Sequence, residues 1–251
     1  MSEPEKPPRA MSLLDHLAEL RNVLVSSLLA ALAAAGVCWF YSARLLDLLL
    51  QPLAHSGQKA YFHAPFEAFM TRLKISLVVG LFLVLPYILH RIYGFVVPGL
   101  YQRERRLVTP MLVGSVSLFY AGVAFGFFVL TPQVVRIMLT FGTENVQPLI
   151  GVGPYFAFVA QLCFAFGLVF ELPLVVLVLS LIGVVQPRQL LRTWRYAIVI
   201  IAVASAALTP GPDVISLVFM AVPVSLLYLS SVVIALIVTR RRRARAAAER
   251  D

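Results

Sequence analysis

Charge is what this chain has least of. Only 13% of its 251 residues are Asp, Glu, Lys or Arg, about half the roughly 25% of a soluble domain, so a water-soluble globule is excluded. Cysteine occurs twice, as Cys38 and Cys163. Both sit in apolar runs, where a thiol behaves as a small hydrophobe, and their spacing offers neither a disulfide framework nor a zinc site. The four histidines, His16, His55, His63 and His90, are dispersed. No G-x-x-x-x-G-K-[ST] loop, H-E-x-x-H helix or G-x-S-x-G elbow is present, so nothing points to bound nucleotide, zinc chemistry or a serine nucleophile. No metal, cofactor or catalytic residue is assigned. The halves show no clear repeat, which weighs against a carrier built from inverted repeats.

Hydrophobic residues, by contrast, make up 60% of the chain and the mean hydropathy is +0.88, which marks an integral membrane protein. A hydrocarbon core of about 30 Å takes roughly 20 apolar residues per helical span. Six stretches qualify to varying degrees, near residues 23–40, 75–97, 108–130, 155–183, 195–208 and 214–238. They are continuously apolar rather than alternating, which favours helices over the strands of a membrane barrel. The expected fold is therefore all-α, a polytopic bundle of six transmembrane helices.

Six spans put both termini on one side. Sixteen of the 21 Lys and Arg residues then share that side, and only Arg44, Lys59, Arg72, Lys74 and Arg136 fall on the other, so both termini are expected in the cytoplasm. Residues 1–10, MSEPEKPPRA, lack an apolar stretch ending in a cleavage site and read as a flexible cytoplasmic tail. Residues 11–238 form one membrane domain. The basic run in residues 239–251 reads as a stop-transfer segment against lipid headgroups, with no nucleic acid implied.

Three acids stand out from this background. Ser12-Leu13-Leu14-Asp15 fits the [ST]-x-x-[DE] capping pattern, so a helix should begin there. Leu13, Leu17, Leu20 and Leu24 share one face of it, and Asp15, Glu19 and Asn22 the other. The plain reading is an interfacial anchor, yet acids are ill matched to an anionic leaflet and suit a cationic partner better. Glu104 is likewise the lone acid in VPGLYQRERRL, where simple charge balance is the competing account. Glu171 is the only ionisable group in FGLVFELPLVVLVL, and Pro173 two residues later should interrupt the helix. An acid at that depth costs roughly 2.5–3.5 kcal/mol on insertion scales. It marks either a functional site or a hydrogen bond to a neighbouring span. Gly122 and Gly126 form a G-x-x-x-G, a pattern of close helix packing.

Five segments occur in an order that resembles the TatC family, the multispanning receptor subunit of the twin-arginine protein translocase. They are SLLDHLAELR, the FHAPFEAF stretch with its following K-x-S, GLYQRERRLVTP, FELP and the ALTP…PD turn, spread from Ser12 to about residue 230. The resemblance implies a cupped bundle in a prokaryotic cytoplasmic membrane that is not an enzyme. It would bind twin-arginine signal peptides of folded cargo at its cytoplasmic face and work with TatA- and TatB-type single-span subunits, using the proton-motive force. Self-association in a larger complex is implied as well.

Carried over by motif, Glu19 and Glu104 are the acids expected to meet the two arginines. A guanidinium forms two parallel charge-assisted bonds with a carboxylate, a fork that Lys cannot copy. His16, Leu20 and Arg21 match the same motif and are read as shaping the pocket or capping the helix, while Arg105, Arg106 and Phe95 are read as positioning Glu104, with Phe95 a structural residue. Pro52, Pro65, Phe66 and Phe69 match the first external loop, a cap of helical segments, and are read as fold-making. Arg195 and Tyr196 open the fifth span, where interfacial anchoring accounts for them.

Thr209, Pro210 and Asp213 match the last external turn, but Gly211 interrupts the usual TPPD and Leu217 stands where the family often has Gln. Thr209 and Glu171 are expected to contribute an intramembrane polar or partner site, with Asp213 a structural turn residue. The fifth span, about 14 residues, reaches only roughly 21 Å and would thin the bilayer or extend into its flanks. The alternative function is a proton-coupled small-solute carrier with Glu171 as its proton site.

Overall fold

The computed structural model describes residues 13–96, 105–140, 142, 149–181, 184–208 and 214–248. Helix α1 (Leu13–Phe40) is followed by α2 (Ser42–Ala54), strand β1 (Ala60–Tyr61) and α3 (Pro65–Val96). Helix α4 (Arg105–Ala124) continues through a π-helical segment (Phe125–Leu130) into α5 (Thr131–Leu139). Strand β2 (Ile150–Gly151) precedes α6 (Val152–Phe170) and α7 (Leu172–Leu181). Helices α8 (Pro187–Arg192), α9 (Trp194–Leu208) and α10 (Val214–Ala248) complete the chain. Among the described residues the only strands are the β1–β2 pair, and the rest of the regular structure is helical.

Among the described residues, five stretches are long and apolar enough to cross a membrane: Leu17–Phe40, Pro65–Phe95, Pro110–Leu139, Val152–Ser180 and Leu217–Arg240. This makes the protein multi-pass. The sixth apolar helix, Trp194–Ala207, is shorter, as its sequence indicates.

The sequence-based boundaries shift where proline is involved. The second span starts ten residues earlier than expected, because Pro65 occupies the first helical position, where its missing N–H costs nothing. The third does not stop at Thr131-Pro132. Pro132 has no N–H to give the Phe128 carbonyl, and the chain widens into a π turn rather than ending. Both the backbone N–H and the hydroxyl of Thr131 bond the Gly126 carbonyl, the hydroxyl at 2.9 Å.

Helix α6 is the hub. Its Leu162 and Phe166 join Leu130, Val134, Ile201, Met220 and Val224 in one core cluster, uniting α5, α9 and α10. Its Tyr155, Val159 and Cys163 join Leu53, Phe127 and Val135 in a second, bringing in α2. Gly122 permits this: a Cβ there would meet the Phe166 carbonyl oxygen and lie 2.9 Å from the Gly167 Cα. The G-x-x-x-G is thus a packing seam between α4 and α6. Gly80 does the same for α1 and α3, its would-be Cβ only 2.6 Å from the Ala35 backbone nitrogen.

Candidate functional site

Helix α1 carries the first expected site residues. Leu17 and Leu24 are about 60% exposed and Val23 is buried at 7%, so the leucine face turns toward lipid and the opposite face toward α3. Glu19 is half-buried and stands one turn before Val23, on the inward side. It makes no hydrogen bond or ion pair with the described residues. Leu20, Arg21 and Asn22 are exposed beside it. His16 lies in the first turns of α1 and Arg105 is the first residue of α4, but the side chains of both, and of Arg106, are outside the described set. Phe95 is half-buried in the last turn of α3. Glu104, Thr209, Pro210, Gly211 and Asp213 lie outside the described residues. The pairing of Glu19 with Glu104 is therefore an expectation from the sequence.

Glu171 sits at the break between α6 and α7. Helix α6 ends one residue before it, and the chain restarts with the N–H groups of Leu174 and Val175 bonding the Glu171 carbonyl at 3.0 and 2.9 Å. The interruption precedes Pro173, as expected of a residue that cannot donate to the preceding turn. The carboxylate Oε2 accepts a 2.7 Å bond from the Ser115 hydroxyl on α4. Tyr93 on α3 interacts with both Ser115 and Glu171. Three spans therefore meet at one polar point, which is the inter-span hydrogen bond that the sequence left as one of two readings. The other oxygen, Oε1, is shielded from solvent and has no hydrogen-bond partner among the described residues. One acceptor is thus unused, and an unsatisfied buried acceptor is costly.

A further acid was quoted in FHAPFEAF but given no role. Glu67, in the first turn of α3, accepts the backbone N–H of His63 at 2.8 Å through Oε2 and that of Gly153 at 3.0 Å through Oε1. His63 Nδ1 lies 3.5 Å from Oε2. Alongside, β1 and β2 pair in parallel, Ala60 opposite Ile150 and Tyr61 opposite Gly151. The two loops are thereby fastened together by one carboxylate and a two-residue strand pair. No local sequence signal identifies Gly153 as the partner, 86 residues away.

The loop residues read as fold-making are placed accordingly. Pro52 is buried in α2, beside the core residue Leu53. Phe66 and Phe69 are exposed and stack on each other at 6.0 Å, and Phe69 meets Trp39 of α1 edge-on at 5.5 Å. Arg72 lies over the Trp39 ring at 5.7 Å and donates through Nε to the buried Ser42 hydroxyl at 3.0 Å. Arg195 lies over Trp194 at 6.0 Å, and Tyr196 is 73% exposed.

The TatC family profile, described as Sec-independent protein translocase protein (TatC), matches residues 15–223. A TatC from Carboxydothermus hydrogenoformans is 39% identical over 227 residues, covering 90% of this chain and 93% of that protein. One from Koribacter versatilis is 33% identical, covering 96% and 92%. A crystal structure described as the twin-arginine translocase receptor TatC superimposes with a TM-score of 0.80 at 35% identity, covering 89% of this chain and 99% of that one. The chain belongs to the TatC family of Sec-independent protein translocases, and is a multi-pass membrane subunit of protein translocation rather than an enzyme.

Proposed function

We propose that this protein is the receptor subunit of a twin-arginine translocase, binding Arg-Arg signal peptides at its cytoplasmic face through Glu19 and Glu104. The observation that carries this is the match over nearly the whole chain to a solved twin-arginine translocase receptor. The state of Glu19 supports it: a half-buried carboxylate on the inward face of α1, engaged by no described side chain, has its lone pairs free for an incoming guanidinium. His16, Leu20, Arg21 and Arg105 contribute to that site, and Phe95 is a structural residue beside it.

In this reading all six apolar helices span the membrane of a prokaryotic cell, with both termini in the cytoplasm, as the distribution of Lys and Arg requires. After docking, the apolar part of the signal peptide inserts along the bundle and TatA- and TatB-type single-span subunits assemble on it. Passage draws on the proton-motive force. Glu171, with its spare acceptor, and Thr209 belong to the partner-facing polar site, and Asp213 shapes the nearby turn. The chain self-associates within the larger complex. Family membership removes the support for a small-solute carrier.

The deciding measurement is binding of the purified protein to a twin-arginine peptide and to its Lys-Lys variant, at equal charge and fixed salt. The fork geometry predicts a clear preference for Arg-Arg. Equal affinity would overturn the receptor assignment.

A further inference from the structure

A cavity of about 630 Å³ lies between α2 and the stretch formed by the π segment and α5. Its rim is cationic and polar, with Arg136, His55, Gln51 and Gln133, and no acid is among its lining residues. Its apolar wall is formed by Phe127, Phe128 and Val129. Eight residues separate Phe128 from Arg136, roughly 12 Å along a helix, so charge lies at one level and hydrocarbon below it. Arg136 is exposed and makes no ion pair among the described residues. Phe128, on the apolar wall, is 68% exposed.

Val129 also walls a second groove of about 500 Å³, which is apolar throughout and runs against Phe219, Val222 and Pro223 of α10. A cationic cradle therefore adjoins a hydrocarbon track. A free anion would use only the first of these, whereas an amphiphile uses both. We propose that this is a binding site for an anionic phospholipid, with the phosphodiester held by Arg136 and His55 and an acyl chain laid past Phe128 and Val129. Basic recesses between membrane helices recognise headgroups by this chemistry. The bound lipid wedges between α2 and α5 on the side of the bundle bearing β1 and β2.

The test is native mass spectrometry of the full chain released from micelles containing equal phosphatidylglycerol and phosphatidylcholine. The wild type should retain phosphatidylglycerol preferentially. Arg136→Gln should reduce that preference by about tenfold, the scale of one charge-assisted contact, and Arg136→Lys should restore most of it. Arg44→Gln, an exposed cation on α2 outside the cavity, should leave it unchanged. Val129→Trp, which fills the track, should lower retention of both lipids. Monodispersity on size exclusion confirms that each variant is folded. Equal retention of the two lipids by the wild type would overturn the proposal, as would an unaltered preference in Arg136→Gln. Displacement of the lipid by excess inorganic phosphate as complete as by added phosphatidylglycerol would also overturn it, by identifying a site for a soluble anion.

Discussion

Glu19 and Glu67 are both carboxylates near a membrane boundary, and both lie on helices that pack together, α1 and α3. Their circumstances differ completely. Glu67 is saturated: each oxygen accepts a backbone N–H, one from its own loop and one from a loop 86 residues later. Glu19 has no partner among the described residues and is half-buried. A carboxylate whose lone pairs are used by the fold is part of the fold. One held partly out of water with its lone pairs idle is available to a ligand. Glu171 stands between them, one oxygen bonded to Ser115 and the other without a partner among the described residues.

The comparison is most sharply tested by removing the two acids proposed to meet the arginines. Glu19→Ala combined with Glu104→Ala should reduce crosslinking of an Arg-Arg peptide to background without changing the unfolding midpoint; full crosslinking in the double variant would break the contrast at its root. Next in size is the packing seam that fixes the bundle. Gly122→Leu drives a side chain into the backbone of Phe166 and should destabilise by about 1–3 kcal/mol, or abolish accumulation of the folded protein, read by thermal unfolding in detergent.

Glu67→Ala should behave opposite to the Glu19 substitution. It frees the His63 and Gly153 N–H groups, so the melting temperature should fall and proteolysis of the β1–β2 loops should rise while peptide binding persists. Glu67→Gln keeps an acceptor oxygen and should fall between. Glu171→Ala should leave Arg-Arg recognition intact and impair transport or partner contact. If it removed recognition while the protein stayed folded, the separation of roles would be wrong. The smallest effect belongs to Ser115→Ala, which deletes one hydrogen bond within the bundle and should cost about 0.6 kcal/mol.

The hydropathy pattern already located the apolar helices, since each span must satisfy its own backbone hydrogen bonds in lipid and does so over a continuous run. Ends set by proline were harder. The second span was expected to start near residue 75 and the third to end near 130, yet Pro65 begins a helix and Pro132 is absorbed by a π turn with help from Thr131. A proline removes one donor, and whether the chain stops depends on what else can occupy the orphaned carbonyl. Of the candidate site, Glu19 and Glu171 were legible because charge is conspicuous in an apolar sequence. Glu67 was not, because an acid at the water-facing end of a span is ordinary until its distant partner is known.

Membrane residence, the positions of the apolar helices, the weakness of the fifth and the family's motifs were determined by the sequence alone. These depend on the solvent a segment must face and on local residue order. Tertiary structure decided which carboxylate is bound by the fold, that Ser115 meets Glu171, and that a cationic recess lies beside an apolar track. Hydrogen bonds and cavities of this kind join residues remote in the chain, and they exist only once the helices have packed.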